Sequence, residues 1–114
     1  MLKIKRVYDE VSRQDGRRLL VDALWPRGIK KTDLQYDDWL KEIAPSRELR
    51  KWFNHDPDKW DEFQEKYFEE LYPHKEILED IKKLSEGHNV TLLYAAKDEK
   101  YNQAAAIKVY IDNM

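Results

Sequence analysis

The stretch NVTLLYAA, residues 89–96, is uncharged and apolar along almost its whole length. A strand with one wet face alternates apolar and polar positions. A run that is apolar at both parities reads instead as a strand covered on both faces. Successive side chains of a strand point to opposite sides. Val90, Leu92 and Tyr94 therefore face one way, and Thr91, Leu93 and Ala95 the other. Such a strand belongs in the middle of a sheet, with neighbours along both edges and packing on both faces.

Working outward, Lys3 to Tyr8 alternates Ile4 and Val7 with charges and reads as a first strand. Asp15-Gly16 is a turn signal. Arg18 to Leu24 (RLLVDAL) is a short apolar run that reads as a second strand. It ends at Trp25-Pro26-Arg27-Gly28, where Pro26 lacks an N–H and Gly28 permits a positive φ. Thr32 or Asp33 is placed to cap a helix carrying Leu34, Trp39, Leu40 and Ile43, stopped by Ala44-Pro45. Ser46 caps a short helix with Leu49, Trp52 and Phe53 inward. Asp56-Pro57 restarts the chain, with Asp as the cap and Pro in the first turn. Trp60, Phe63, Tyr67 and Leu71 follow at helical spacing up to Pro73. Ile77, Leu78, Ile81 and Leu84 mark a further helix, with Gly87 as its expected C-terminal cap. After a polar connector, Gln103 to Ile111 forms the last helix, with Ala104 and Ile107 inward. This order implies an α/β fold, a small, mainly parallel sheet of about three strands packed with several helices. Nine residues separate Tyr8 from Arg18, near the lower limit for a crossover, so the pattern leaves strand order and the direction of the second strand open.

The length, 114 residues, fits one domain over 1–114. Hydrophobic residues make up 41%, enough for a core despite 39% charge. Four Trp, seven Tyr and three Phe supply much of that core. The Trp and Phe series between 39 and 68 has the spacing of packing residues rather than of a base-stacking platform. With no cysteine, disulfides, thiolate metal sites and a cysteine nucleophile are excluded. The charged start MLKIKRVYDE is not a signal peptide, and no apolar run approaches the ~20 residues of a membrane span. A cytoplasmic location is expected. The net charge of -2 disfavours nucleic acid as a partner. The charge is uneven, however. Residues 1–31 carry nine Lys/Arg against four Asp/Glu. That excess marks either a surface facing an anionic ligand or a solvated face.

Ligands of an open parallel sheet gather beyond the carboxyl ends of its strands. Three loops should meet there. The loop after the second strand brings Trp25 and Arg27, with Asp22 near the strand's end. The loop after the third brings Lys97, Asp98 and Asn102, just ahead of a helix whose first N–H groups favour negative charge. Arg27 can grip a carboxylate or phosphate with two parallel hydrogen bonds, with Trp25, Lys97 and Asn102 as further ligand-binding candidates. Asp22, Asp98 and His55 are the candidates for proton transfer. The competing reading pairs Arg27 with Asp22 and Lys97 with Asp98 as loop-fixing ion pairs, and makes His55 a corner histidine bonded to backbone. His55, His74 and His88 lack metal-ligand spacing, so no metal is expected. Three scattered glycines form no phosphate loop, and no particular cofactor is implied. Ser46 is a helix cap rather than a nucleophile.

Val-Asp-Ala-Leu-Trp-Pro-Arg-Gly (21–28), Ala-Pro-Ser (44–46), Leu-Arg-Lys-Trp-Phe-Asn-His-Asp-Pro (49–57) and Leu-Leu-Tyr-Ala-Ala-Lys-Asp (92–98) together resemble the YeaO-like family of bacterial proteins. The resemblance runs over nearly the whole chain, and Leu-Trp-Pro-Arg-Gly is its most specific segment. It implies a compact α/β domain without implying an activity. Members of that family usually carry Arg where this chain has Lys97, and often His where it has Tyr101. Lys does not reproduce the planar fork of Arg, so a family role at these positions need not carry over. More distant relatives hold a Cys-His-Arg motif, whose thiol chemistry this chain cannot share.

Two functional readings follow. One is an enzyme or binder acting on a small anionic metabolite through Arg27, Lys97 and the helix start. The other is a non-catalytic interaction domain anchored on an exposed Trp25. A pocket of several hundred cubic ångströms beside Arg27 favours the first, and a flat, exposed Trp25 the second. The oligomeric state is not legible.

Overall fold

A computed structural model describes residues 1–114. Its sheet has four strands in the order β1-β4-β2-β3, where β1 is Leu2–Arg6, β2 Arg17–Leu20, β3 Asp38–Trp39 and β4 Val90–Tyr94. Every pairing is parallel, with Ile4 and Leu19 flanking Leu92 on either side. The apolar run thus forms an inner strand, and all five of its residues are buried. Val90, Leu92 and Tyr94 enter the larger core cluster, beneath Phe63, Tyr67, Leu78 and Ile107 of the helices. Leu93 enters a second cluster on the other face, with Val7, Leu20 and Leu34. Burying an aliphatic side chain fully contributes about 1.5–3 kcal/mol, so Leu92 and Leu93 lock the strand from both sides.

The helices α1 (Arg47–Phe53), α2 (Trp60–Leu71), α3 (Lys75–Gly87) and α4 (Gln103–Asp112) build the first layer. The expected caps at Ser46 and Asp56 form. The Ser46 hydroxyl accepts the Leu49 N–H, and the Asp56 carboxylate accepts that of Asp58 ahead of a short 3-10 turn, Pro57–Lys59. Asn102 Oδ1 accepts the Ala105 N–H at 2.8 Å. The fully buried Tyr67 donates its hydroxyl proton to the Ile43 carbonyl, tying α2 to the segment ahead of α1. No helix is long and apolar enough to cross a membrane.

The helix expected after Thr32 does not form. Leu34, Trp39, Leu40 and Ile43 do not lie on one helical face, since the step of five from 34 to 39 turns the chain well past one stripe. Asp37 and Leu40 instead donate their N–H groups to Arg18 O and Leu20 O, which makes Asp38–Trp39 a short edge strand, followed by a 3-10 turn at Lys41–Ile43. The segment after β2 folds over the second face of the sheet. There Trp25 meets Tyr36 and Trp39 edge to face, at 5.6 and 5.4 Å between ring centroids. Among the aromatic residues expected inside, Phe63 is fully buried, whereas Trp39, Trp52 and Trp60 are only half-buried. Lysine ammonium groups lie over the outer rings: Lys41 Nζ is 4.0 Å from the centre of Trp39, and Lys59 and Lys66 Nζ are 5.1 and 5.2 Å from that of Trp52. Gly87 is the last residue of α3 rather than a left-handed cap, and His88 beyond it is extended.

All three expected strands are shorter than read, and β2 shows why. Val21 still donates to Leu93 O at 3.1 Å. At the next rung the Asp22 carboxylate, rather than a backbone carbonyl, takes the Ala95 N–H at 3.0 Å. The side chain satisfies the ladder and releases the backbone to turn away.

Since β4 lies between β1 and β2, the short link between the first two strands must pass over its N-terminal end. A 3-10 turn at Arg13–Asp15, boxed at its start by Ser12, makes the crossing. Asn89 donates its side-chain amide to Gln14 O and Thr91 its hydroxyl to Asp15 O, at 2.9 and 2.7 Å. The buried Asp15 carboxylate takes Lys5 at 3.0 Å and Arg18 at 2.5 Å. Burial alone would raise its pKa, but the Ser12 N–H, Lys5 and Arg18 outweigh that effect and hold it below the ordinary value. Gly16 completes the crossing at φ 62, and a Cβ there would lie 2.0 Å from Asn89 O. Both the backbone angle and the clash penalise a side chain. Gly16→Ala should therefore lower stability by about 3 kcal/mol in urea unfolding. A change within about 0.5 kcal/mol would show that this crossing is not tightly packed.

Candidate functional site

At the carboxyl edge of the sheet the chain opens into a cleft of about 500 Å³. Tyr8 follows β1, residues 22–27 follow β2, and Ala95 and Ala96 follow β4. Pro45, Arg50, Phe53 and His55 come from α1 and its flanks, and Phe63 from α2. The space exists because β4 is followed by two alanines, too small to fill it. Phe53 and Phe63, stacked at 4.3 Å, form an apolar wall. Pro26 and Pro45, both buried, stiffen two further sides.

Asp22 is the most constrained polar group in the cleft. Its Oδ2 accepts the Ala95 N–H, and its Oδ1 the amide of Gln103, the first residue of α4. Its own carbonyl accepts the Trp39 indole N–H at 2.7 Å. Burial pushes its pKa from the ordinary 3.8 to about 6, only partly offset by the Ala95 N–H.

Two arginines line the same space. Arg27 is exposed on a loop shaped by Pro26 and by Gly28 at φ 77. The Tyr8 hydroxyl holds that loop through Arg27 O at 2.9 Å. Arg50 is half-buried and donates Nη1 to Pro45 O at 2.7 Å. The ion pairs of the protein are Lys5–Asp15, Arg18–Asp15 and Lys108–Asp112, so neither arginine is neutralised by a carboxylate. An Arg27–Asp22 pair, the structural alternative in the sequence, does not form. His55 is exposed on the rim. It follows Asn54 in a left-handed corner, with φ 47 and 56 at two successive non-glycine residues.

The structure thus brings together Asp22, Trp25, Arg27, His55 and Asn102, and leaves Lys97 and Asp98 outside the lining. Lys97 is exposed and forms no pair with Asp98. Asp98 shapes its own loop: its Oδ1 accepts the N–H groups of Lys100 and Tyr101 at 2.9 and 3.0 Å. The Tyr101 N–H above all, then that of Lys100, holds its pKa below the ordinary value. The Asn102 amide is consumed at both ends, capping α4 and donating to Asp98 O at 2.9 Å. Trp25 is half-buried and gives its indole N–H to Ile29 O at 2.6 Å, so it is no flat, exposed anchor. Arg50 was hidden in a segment that reads as core, although it lies three residues before Phe53 and so on a neighbouring part of the helix face.

A family model described as the inactive DUF488-N3 subclade matches residues 1–114. This chain belongs to that family. Among its relatives is the uncharacterised protein YeaO of Escherichia coli K12, 42% identical over 113 residues that cover 99% of this chain and 98% of YeaO. The uncharacterised protein Rv3073c of Mycobacterium tuberculosis H37Rv is 39% identical over 106 residues, 93% of this chain and 89% of that protein. No solved structure matches. The YeaO-like resemblance of the motifs is therefore a property of the whole chain. In this DUF488-N3 member, the 21–28 and 49–57 motifs supply much of the cleft lining.

The raised Asp22 pKa has a consequence for stability. The folded protein binds this proton more tightly than the unfolded chain does. Stability contributed by the group is thus fully present below about pH 3.8 and is lost as pH rises towards about 6. An asparagine in its place would keep an acceptor for the Ala95 N–H and carry no charge. Asp22→Asn should therefore be more stable than the parent by about 2–3 kcal/mol at pH 7.5, and the gap should close towards pH 4. Urea unfolding of both proteins at the two pH values checks this. A variant less stable at pH 7.5 would mean that the buried charge is compensated.

Proposed function

We propose that this protein is a non-catalytic binder of a small anionic metabolite bearing a carboxylate or phosphate. The observation that carries the reading is the cleft of about 500 Å³ lined by both Arg27 and Arg50, neither of which has a carboxylate partner. A volume of this order suits a small ligand, and the apolar wall of Phe53 and Phe63 suits the non-ionic part of one. The planar fork of each arginine matches a carboxylate or phosphate. The loop around Arg27 is already shaped by Pro26, Gly28 and Tyr8, which lowers the ordering cost of binding.

Binding is favoured over catalysis on two grounds. The matching family is described as inactive, and with no cysteine the chain has no thiol nucleophile. Asp22 and His55 line the cleft together, so a proton-transfer role is the second reading, while Asp98 has no part in it. An interaction domain anchored on Trp25 has less support, because its indole is bonded within its own loop.

Thermal melts with a panel of carboxylate and phosphate metabolites test the proposal. At least one should raise the parent's melting temperature, less so as salt screens the exposed charges. Arg27→Ala should leave the ligand-free melt nearly unchanged and weaken binding at least about tenfold, the scale of a lost charge-assisted contact. Arg50→Ala should weaken binding similarly, with a small loss of stability from its bond to Pro45. Failure of every anion to shift the parent, or a shift that survives both substitutions, would refute the anion site.

A further inference from the structure

We propose that the cleft selects an anion that also carries a hydrogen-bond donor, a hydroxyl or amino group, with Asp22 as the group that receives it. This rests on the anion-binding reading of the same cleft and names the class of ligand.

The two arginines and Asp22 line one space yet form no ion pair with each other. The cleft therefore offers cationic donors and an anionic acceptor as separate subsites, with Phe53, Phe63 and the prolines between and around them. Asp22 accepts the Ala95 N–H on one oxygen and the Gln103 side-chain amide on the other. An ionised carboxylate offers about four lone-pair sites, and these two bonds use one on each oxygen. The remaining capacity belongs to a half-buried charge with no cation beside it, whose cost is seen in its raised pKa. A ligand donor would relieve that cost. A ligand with only an anion and an apolar body would leave Asp22 uncompensated and would add a second negative charge near it. A site built to bond a donor discriminates strongly against the analogue lacking it. Gln103 has a place in this account. Its amide occupies one carboxylate oxygen from the start of α4 and so competes with a ligand donor, while the Ala95 N–H holds the carboxylate in place through the other oxygen.

The test uses paired probes of two lengths, 4-hydroxybenzoate against 4-methoxybenzoate and 4-hydroxyphenylacetate against 4-methoxyphenylacetate, titrated calorimetrically into the full chain at pH 7.5. In at least one pair the hydroxylated member should bind about tenfold more tightly or better. Asp22→Asn, checked for folding by circular dichroism, should reduce that ratio to below about threefold, as a charge-assisted bond becomes a neutral one. It should leave the methoxy member bound as well as before or better. Gln103→Ala frees an acceptor site on Asp22, so there the ratio should hold or rise. That variant keeps the test decisive if Asp22→Asn does not fold. Equal binding within both pairs, lost together in Arg27→Ala, would overturn the donor subsite and leave the anion site standing. A ratio that falls in Gln103→Ala, or survives in Asp22→Asn, would also overturn it. No binding of any probe to the parent would count against both.

Discussion

The carboxylate of Asp22 sits where β2 and β4 part, and the carboxyl edge of the sheet is organised around it. One oxygen takes the N–H that the next rung of the ladder would have used. The other takes the side chain that opens α4. The Asp22 carbonyl meanwhile receives the indole of Trp39 from β3. A single residue thus ends a strand, anchors a helix start and braces the edge strand. Its charge costs stability, because burial disfavours the ionised form.

The opposite end of the sheet is organised differently. Asp15 there is also buried, but Lys5 and Arg18 surround it and its pKa falls instead of rising. The two acids are of the same type and at opposite ends of the same strands. Only the one with no cation beside it faces a cleft. Between them, the two-sided burial of β4 holds both ends in register, since slipping it by one residue would exchange Leu92 and Leu93 between the two clusters.

Much of this was legible in the chain because the strongest signals were local. The apolar run at 89–96, the caps at Ser46 and Asp56, and the stripe Phe63-Tyr67-Leu71 each encode their element within a few residues. The failures were non-local. The edge strand at Asp38–Trp39 is set by bonds to Arg18 and Leu20, about twenty residues away, and no periodicity announces it. The end of β2 depends on a side chain replacing a backbone acceptor. The topological rule that ligands gather at the carboxyl edge led to Asp22, Trp25, Arg27 and Asn102. It also led to Lys97 and Asp98, because it says which loops meet but not which way their side chains turn. Asp98 turned inward upon its own loop. Arg50 lies on a helix between core residues, and only the folded structure shows that α1 overhangs the open edge.

The most direct measurement of the central claim is amide chemical-shift mapping of the ¹⁵N-labelled protein during titration with 4-hydroxybenzoate, to about 20 mM for a ligand of millimolar affinity. If the edge around Asp22 is an anion-binding cleft, the shifts should concentrate in residues 22–28, 50–55 and 95–103. Amides around Asp15 and Arg18, at the far end of the sheet, should stay still. Shifts centred on that far end, or none at saturating anion, would contradict the account.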